Sequence, residues 1–455
     1  MKLYNLINAC TLGLLLGLSQ NAQAQQTDRP NIVVILADDL ATSELSCYGG
    51  KNIQTKNIDR LAKEGMLMKN NYASCTMSVP IRASLYTGLY PARHGSFQNH
   101  KTSFSDIKSV THYLPEIGYR VGRTGKQHTT PLSVYQFEEV PGFEINCVSP
   151  TANFTTNGIE EFITRDSQPF CLYVCSTHPH TPWTWGNPDE FDEDKIILPP
   201  NSVDNKETRG IFRKYLAEIR SLDDEVGAVM EVLKKAGKLD NTLVIFLGEQ
   251  GAQMPFGKWT CYRYGQHSAL IARYPKKIKS NTTSDALVQY EDVLPTMIEF
   301  AGGSAVADID GKSFLPVLYG KQKKHREWTY GIHNNIPEGT AYPIRSVQDK
   351  RYKLIVNLTH EVDYFEKHLM NVKNRQQVWA SWMDSVATNA NARILTTRYV
   401  KRPAIEFYDL KKDPWELNNL AGKKQYAKRI TNMQHELAKW MEQRGDKGAS
   451  MDKKY

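Results

Sequence analysis

The amino-acid sequence predicts an α/β protein with a mostly parallel central sheet flanked by helices, followed by a smaller C-terminal α+β subdomain. Three continuous apolar runs rich in β-branched residues, at 31–37, 170–175 and 242–247, have the length and composition of buried strands. Segments with a helical spacing of apolar residues separate these runs. Strands that alternate with helices in this way are typical of a parallel sheet.

The predicted elements follow one another in a regular order. The run NIVVILA at 31–37 is the first strand, and NIDRLAKE at 57–64 is a helix that follows it. The run at 170–175 is another buried strand. A long helix is expected within 209–236, because apolar residues recur there at spacings of three and four: Tyr215, Ile219, Leu222, Val226, Met230 and Leu233. The strand at 242–247 comes after this helix.

The pattern changes after about residue 320. Short strand-like pieces occupy 328–358, residues 365–395 are polar and helix-prone, and 425–444 has the pattern of an amphipathic helix. We therefore expect a catalytic domain over residues 25–325 and a C-terminal subdomain over residues 326–455.

The first 24 residues have the features of a signal peptide. Lys2 supplies a positive charge, residues 6–18 are mostly apolar, and Ala22-Gln23-Ala24 resembles a cleavage site. The apolar run is too short to span a bilayer, and the sequence has no second run long enough to do so. We expect an exported protein, periplasmic or secreted, that is cleaved near Ala24 and has no membrane span.

The formal net charge of +8 is spread along the chain without a long basic run. This distribution does not favour nucleic-acid binding. A mild basic excess suits an anionic substrate, because it raises the local concentration of that substrate.

Polar clusters follow each of the three predicted buried strands. Asp38 and Asp39 follow the first strand, His178 and His180 follow the second, and Glu249-Gln250 follows the third. Loops at the carboxyl ends of parallel strands meet at one edge of a sheet. The oxygen donors after the first and third strands would suit a hard cation, Ca²⁺ or Mg²⁺. A helix N-cap is the alternative interpretation of the Asp38-Asp39 pair.

A segment at 78–88 (SVPIRASLYTG) resembles the signature of the sulfatases, a family of the alkaline-phosphatase-like superfamily. The signature begins with Cys or Ser, and the agreement lies in Ser78, Pro80, Arg82, Thr87 and Gly88. Ile81 departs from the small residue that the family usually has at that position. Glu249 and Gln250 likewise stand where the family usually has Asp and then Asn or His.

Four further segments resemble sulfatase motifs in the same order along the chain. They are GKQH at 125–128, PH at 179–180, GKWTCY at 257–262 and the C-terminal FYDL with DP and ELNNL between 407 and 420. Segments 125–135, 342–347 and 352–358 are also similar to the heparan N-sulfatase (sulfamidase) branch of the family.

The resemblance implies a formylglycine that a sulfatase-maturing enzyme makes from Ser78. It also implies one Ca²⁺ per chain, bound by the modified Ser78 and four further oxygen donors: Asp38, Asp39, Glu249 and Gln250. A hydrated aldehyde has two hydroxyls, so one can attack sulfur while the other later helps to expel sulfate.

The resemblance also assigns roles to five basic residues. Arg82 would orient the formylglycine, and Lys126 and Lys258 would contact sulfate oxygens. His128 would promote re-formation of the aldehyde, and His180 would protonate the leaving atom.

Three residues are our candidates for contacts with the rest of the substrate. Arg345 could bind a carboxylate or a second sulfate, His333 could assist it, and His178 is a rim or packing residue beside His180. A structural ion pair is the alternative role for Arg345.

These features together predict a sulfatase that acts on sulfated glycans, with sulfate esters or sulfamates as substrates and an exo mode of action on glycosaminoglycan-like oligosaccharides. Two alternatives stay open. One is a phosphodiesterase or phosphonate hydrolase of the same superfamily that uses Ser78 directly. The other is an inactive protein that binds sulfated glycans.

Overall fold

The computed structural model describes residues 29–149 and 153–454. The predicted signal peptide lies outside the described residues. Within the described part of the chain, no helix is both long enough and apolar enough to cross a membrane.

An eight-stranded sheet forms the larger part of the molecule. In chain order its strands are β1 (Asn31–Ala37), β2 (Met66–Tyr72), β3 (Arg120–Gly125), β4 (Glu138–Glu139), β5 (Phe170–Cys175), β6 (Thr242–Gly248), β7 (His267–Arg273) and β8 (Thr282–Gln289). Their order across the sheet is β4-β3-β5-β1-β6-β7-β2-β8. Only β7 runs against the others, because both of its pairings are antiparallel and all other pairings are parallel. The predicted mostly parallel sheet is therefore confirmed.

Helices cover both faces of this sheet. They are α1 (Lys56–Glu64), α2 (Ser78–Thr87), α3 (Pro91–His94), α4 (Val110–Glu116), α5 (Asn157–Thr164), α6 (Lys206–Lys235), α7 (Arg263–Gln266), α8 (Val293–Phe300) and α9 (Leu315–Leu318). Alternate residues of β1 belong to two different apolar clusters, with Val33 and Ile35 in one and Ile32 and Val34 in the other. Burial on both faces explains why this strand is a continuous apolar run and not an alternating one.

The C-terminal part contains a separate, antiparallel sheet of four strands. These are β9 (Thr329–His333), β10 (Ile344–Gln348), β11 (Tyr352–Asn357) and β12 (Ile405–Asp409), in the order β12-β11-β10-β9. Three helices accompany it: α10 (Val378–Ser385), α11 (Ala390–Val400) and α12 (Ala427–Gln443). Short 3-10 turns lie at Thr42–Glu44, Ser46–Tyr48, Pro188–Glu190, Glu193–Lys195, Leu239–Asn241, Tyr290–Asp292, Lys424–Tyr426 and Gly448–Met451.

The polar segment at 365–395 is only partly helical. Its helices begin at Val378, and residues 366–377 form an irregular loop that reaches the larger domain. The amide and charged side chains of this loop supply a wall of a cavity described below.

Gly125 ends β3 at a point where the backbone needs a glycine. Its φ is +84°, and a Cβ atom there would lie 2.0 Å from the carbonyl oxygen of Cys175 in β5. The next residue, Lys126, donates its backbone N–H to that same carbonyl at 3.0 Å. The sharp turn at Gly125 therefore fixes where the Lys126 side chain starts.

We expect Gly125→Ala to lower the free energy of unfolding by about 1–3 kcal/mol or more, because it adds a clash to an unfavourable φ. Thermal or urea unfolding would measure the loss. Gly237→Ala is the matched control, since Gly237 has φ +66° and open space around its Cβ position. Equal losses of unfolding free energy for the two variants would contradict the close approach of residue 125 to the carbonyl of Cys175.

Candidate active site

The predicted site residues converge at the carboxyl edge of four neighbouring parallel strands. These strands, β3, β5, β1 and β6, are adjacent in the sheet. Each is followed directly, or within a few residues, by polar side chains: Lys126 and His128 after β3, His178 and His180 after β5, Asp38 and Asp39 after β1, and Glu249 and Gln250 after β6. The loop arrangement expected from the strand pattern is what brings these groups together.

Ser78 is the first residue of α2, and its side chain lies among these groups. Its hydroxyl donates to Oε2 of Glu249 at 2.8 Å and lies 3.4 Å from Oδ1 of Asp38. The ammonium of Lys126 donates to Ser78 Oγ at 3.3 Å. Ser78 also stands at the N-terminus of α2, the end of a helix that favours negative charge.

Three buried carboxylates lie close enough to share one cation. Oxygen atoms of Asp38, Asp39 and Glu249 all lie within 4.8 Å of one another. Burial raises the pKa of Glu249 to about 8, and the neighbouring Asp38 carboxylate adds to the rise although Arg82 opposes it. A divalent cation between the carboxylates would offset this repulsion.

The amide of Gln250 belongs to the same cluster. Its amide nitrogen donates to Asp39 Oδ1 at 2.6 Å and to Glu249 Oε2 at 2.9 Å. Its amide oxygen is buried without a hydrogen-bond partner. A buried acceptor without a donor is costly, so coordination of a cation is a physical reason for an amide here. The donor set, oxygen only, fits Ca²⁺.

Three cationic side chains contact the carboxylates. Lys126 Nζ donates to Asp38 Oδ2 at 2.6 Å, Lys258 Nζ donates to Asp39 Oδ2 at 2.7 Å, and Arg82 Nε donates to Glu249 Oε1. Burial alone would lower the pKa of both lysines, but Asp38 and Asp39 hold both values above the ordinary one. Both ammonium groups are therefore charged at neutral pH and available to an anion.

The same contacts shift the pKa of the Asp38 carboxyl group. Burial would raise its pKa, but the charges of Lys126 and Arg82 lower it well below its usual range. The cluster thus holds ionised groups of both signs out of water, an arrangement that persists only when the charges are paired.

Two histidines of the site are neutral imidazoles. Burial, with Lys126 and Arg82 nearby, lowers the pKa of His128 to about 2. Burial and Lys258 lower the pKa of His180 to about 4. His180 donates from Nδ1 to the carbonyl of Thr181 at 2.5 Å, so its Nε2 accepts from Lys258 Nζ at 3.2 Å. Lys258 is the protonated member of this pair.

Three backbone positions of the site lie in the left-handed region. Asp39 has φ 59°, His128 has φ 57° and Trp259 has φ 63°. Such conformations cost free energy for residues other than glycine and are often found at functional sites.

The carbonyl of His178 accepts from the backbone N–H of Asp38 at 2.9 Å, but its side chain contacts a different set of groups. Its Nδ1 bonds to Glu218 of α6, and its Nε2 lies 3.7 Å from Glu225 Oε1 on the same helix. These carboxylates raise the pKa of His178 although burial opposes the rise. The expectation of a substrate contact is corrected: His178 has the packing role, and it joins the loop of His180 to α6.

Arg345 and His333 are likewise outside the cavity. Arg345 is fully buried, and its Nη2 donates to Asp446 Oδ1 at 2.8 Å while Nε donates to the other carboxylate oxygen at 2.5 Å. His333 is buried too, and burial with Arg402 nearby lowers its pKa to about 3. Both substrate contacts expected from the sequence are corrected, and Arg345 forms the structural ion pair that was the alternative.

The segment after α12 forms hydrogen bonds with the loop that follows β9. Asp452 accepts backbone N–H groups of Asn335, Ile336 and Tyr342 at 2.7, 2.8 and 2.6 Å. Glu338 lies in the middle of that loop.

A cavity of about 570 Å³ opens over Ser78. Its deep part is lined by expected residues, which are His128, His180 and Lys258 beside Ser78. Its outer part contains residues that the sequence interpretation missed: Asn99, His100, Gln253, Trp259, Glu338, Lys367, His368, Asn371, Asn374, Gln376 and Gln377. Trp259 lies inside the motif segment at 257–262, where only Lys258 was singled out, and the others lie on loops without a shared motif. For these others the only available signal was the polar composition of the segment around 365–377.

Comparison with known proteins identifies the family. The model of the sulfatase family matches residues 30–303, and a model described as "N-sulphoglucosamine sulphohydrolase, C-terminal" matches residues 248–377. The chain therefore belongs to the sulfatase family, the sulfuric ester hydrolases, with an alkaline-phosphatase-like fold. Both matches confirm the resemblance inferred from the motifs.

Individual relatives agree with this assignment. The chain is 34% identical to an ulvan-active sulfatase of Formosa agariphila, over 92% of this chain and 81% of that protein. It is 27% identical to N-sulphoglucosamine sulphohydrolase of Homo sapiens, over 95% of this chain and 92% of that protein. A solved structure in complex with its substrate D-glucosamine-2-N,6-O-disulfate has a TM-score of 0.72 at 23% identity, and the likeness covers 94% of this chain and 100% of that chain. That last likeness supports the fold alone.

We expect Arg345→Met to lower the free energy of unfolding by about 3–5 kcal/mol, because it leaves the Asp446 carboxylate buried without its partner. Replacing both residues, Arg345→Met with Asp446→Leu, should recover part of the loss. Arg165→Met is the control: the Arg165–Glu138 pair is exposed and is expected to contribute less than about 1 kcal/mol. Denaturant unfolding would measure the free energy of unfolding of each variant. Similar small losses for Arg345→Met and Arg165→Met would contradict a stabilising role of the buried ion pair.

Proposed function

We propose that this chain hydrolyses sulfate esters or sulfamates of sulfated glycans, through a formylglycine made from Ser78 and one bound Ca²⁺. The observation that carries the proposal is the convergence at Ser78. Its Oγ lies between a carboxylate of the cation cluster, 2.8 Å away, and the ammonium of Lys126, 3.3 Å away. A sulfate group at this point would meet both a cation site and fixed positive charges.

The residues that would hold Ca²⁺ are Asp38, Asp39, Glu249 and Gln250, together with the group at position 78. When bound, the cation would lower the pKa of the nucleophile and offset charge on the sulfate. Calcium is proposed over magnesium because Glu249 is one methylene longer than the residue usual in the family, and the shell of calcium tolerates such variation better.

Formylglycine would be produced by a sulfatase-maturing enzyme that accepts serine. Its hydrate supplies two geminal hydroxyls, one to attack sulfur and one to help expel sulfate. The signal peptide predicted at residues 1–24 supports export to the periplasm or beyond.

The side chains around Ser78 would bind the sulfate, position the nucleophile and transfer protons. Lys126 and Lys258 would bind sulfate oxygens, and Arg82 would keep Glu249 and the nucleophile in place. The neutral imidazole of His128 can accept a proton from the nucleophilic group. The His180–Lys258 pair would deliver the proton to the leaving atom, since Lys258 Nζ lies 3.2 Å from His180 Nε2.

The substrate is proposed from the relatives and from the cavity. The relatives act, by their names, on ulvan and on N-sulphoglucosamine. A cavity of about 570 Å³ is of a size that encloses a small ligand. Its walls come from both parts of the chain. A pocket with walls from both parts of the chain favours a terminal sugar, so we propose an exo-acting enzyme on glycosaminoglycan-like or similar oligosaccharides.

A phosphodiesterase or phosphonate hydrolase that uses Ser78 directly is less well supported. Two-metal enzymes need ligands for a second cation, and Lys126 and Lys258 already compensate Asp38 and Asp39. An inactive glycan-binding protein would have no need for so many buried charges.

We expect Ser78→Ala to abolish sulfatase turnover while leaving thermal stability nearly unchanged, since the substitution removes only the nucleophile. Steady-state assays on sulfated monosaccharides would measure the loss. Ser84→Ala is the matched control in the same helix, because the Ser84 hydroxyl bonds to His94 and not to the site. Activity of Ser78→Ala within tenfold of the unsubstituted enzyme would contradict the assignment. The intact mass of protein from the native host should show both cleavage near Ala24 and loss of two hydrogen atoms at Ser78.

We expect removal of Ca²⁺ to inactivate the enzyme, with activity restored by Ca²⁺ better than by Zn²⁺. Ca²⁺ should also raise the melting temperature, because a ligand that binds only the folded state stabilises it. Glu249→Gln should reduce this shift. Glu291→Gln is the control, since Glu291 is an equally buried carboxyl that bonds to Ser74. Full activity after exhaustive chelation, with no metal found by elemental analysis, would contradict the proposal.

A further inference from the structure

The outer part of the cavity contains a second cluster of charged groups, distinct from the one at Ser78. Its centre is Glu338, whose side chain is 1% exposed. Around it lie three basic residues at the cavity mouth, His100, Lys367 and His368, with side chains 54%, 49% and 47% exposed. We call this set the outer cluster.

The buried carboxylate holds the basic groups of the outer cluster in place. His368 Nε2 lies 2.7 Å from Glu338 Oε2, and Lys367 Nζ lies 3.6 Å from the same oxygen. His100 Nε2 is 3.4 Å from the other oxygen, which also accepts from Asn99 at 2.6 Å. Burial would raise the pKa of Glu338, but these contacts hold it well below its ordinary value. Glu338 is therefore an ionised anchor that joins two distant segments of the chain.

The outer cluster directly adjoins the catalytic groups. The imidazole of His368 is stacked on the indole of Trp259, with ring centroids 5.7 Å apart and planes at 17°. Lys258 Nζ lies 4.9 Å from the centroid of the same indole. On the other side, the rings of His100 and His128 have centroids 5.3 Å apart. A sugar whose sulfate reached Ser78 would thus extend into the outer cluster.

The outer wall presents more hydrogen-bond donors than carboxylates to a ligand. A second carboxylate, Glu366, lies within 4.8 Å of Glu338 and His368, but it is buried and does not line the cavity. Among the described residues that line the outer part, Glu338 is the only acidic one, and its oxygens face basic or amide groups. The loop that carries Lys367 and His368 also lines the cavity with the neutral amides Asn371, Asn374, Gln376 and Gln377. The Lys367 ammonium has three N–H groups, so its contact to Glu338 leaves further donors for a ligand. An imidazole that uses its one N–H on Glu338 has a second N–H to offer only when both ring nitrogens are protonated.

We propose that the outer cluster is a subsite for a second oxyanion of the substrate, on the sulfated sugar itself or on its neighbour. Lys367, His368 and His100 are the donors, and Glu338 positions them. The inference rests on the proposed function, because it assumes a sulfated sugar at Ser78. It replaces the role that the sequence suggested for Arg345. A carboxylate of a uronic acid and a second sulfate ester present the same chemistry, so the experiment must separate them.

Binding to the Ser78→Ala chain is the appropriate test, because it does not depend on turnover. Calorimetry would compare N-sulfoglucosamine with D-glucosamine-2-N,6-O-disulfate, and a sulfated disaccharide containing glucuronic acid with its carboxyl-reduced form. We expect the member with the second anion to bind at least about tenfold more tightly in one pair, as a charge-assisted hydrogen bond implies. The first pair reports a sulfate, and the second reports a carboxylate.

Substitutions at the outer cluster should remove that difference. Lys367→Gln and His368→Gln, each in the Ser78→Ala chain, should weaken binding of the doubly anionic ligand about tenfold. Binding of the ligand that lacks the second anion should stay nearly unchanged. Lys367→Arg should retain most of the affinity. Lys373→Gln is the matched control, since Lys373 lies in the same segment, is exposed and does not line the cavity.

Two outcomes would overturn the subsite. One is equal affinity of the Ser78→Ala chain for both members of both pairs. The other is a loss in Lys367→Gln that is no greater than that in Lys373→Gln. Failure of the proposed function would be seen separately, as turnover by Ser78→Ala or absence of formylglycine.

Discussion

The structure depends on the pairing of buried charges at one edge of the large sheet. Asp38, Asp39 and Glu249 lie against Lys126, Lys258 and Arg82, and all six side chains are buried. Each of these groups alone would be strongly unfavourable in such surroundings, so all must be placed together. The four adjacent strand ends place them together.

Much of the fold and of the deep site could be predicted because both depend on the same local signal. An apolar run such as β1 identifies a strand covered on both faces, and the polar residues directly after it must emerge at the carboxyl edge. Asp38 and Glu249 are therefore near each other as soon as β1 and β6 are accepted as parallel strands. Ser78 does not follow its strand directly, and only its motif pointed to the same place.

The outer part of the cavity could not be predicted by such reasoning. Arg345 lies on β10 between β9 and β11, opposite Ile332 and Val356, and nothing near it in sequence indicates that Asp446 will pair with it. Glu338, Lys367 and His100 lie on three loops whose approach is set by tertiary contacts. Long-range pairing of single charged residues has no periodic pattern, so their types and spacing do not indicate whether they line a cavity or stabilise the interior.

The contacts of Asp446 and Asp452 have a consequence for the far end of the chain. These two carboxylates hold Arg345 and three backbone amides of the loop that carries Glu338. Residues near the end of the described chain therefore stabilise the loop that carries Glu338, a wall of the cavity, although they are distant from Ser78 in sequence. Loss of residues 446–452 would leave Arg345 and these three backbone amides without their partners, and would loosen this wall of the cavity.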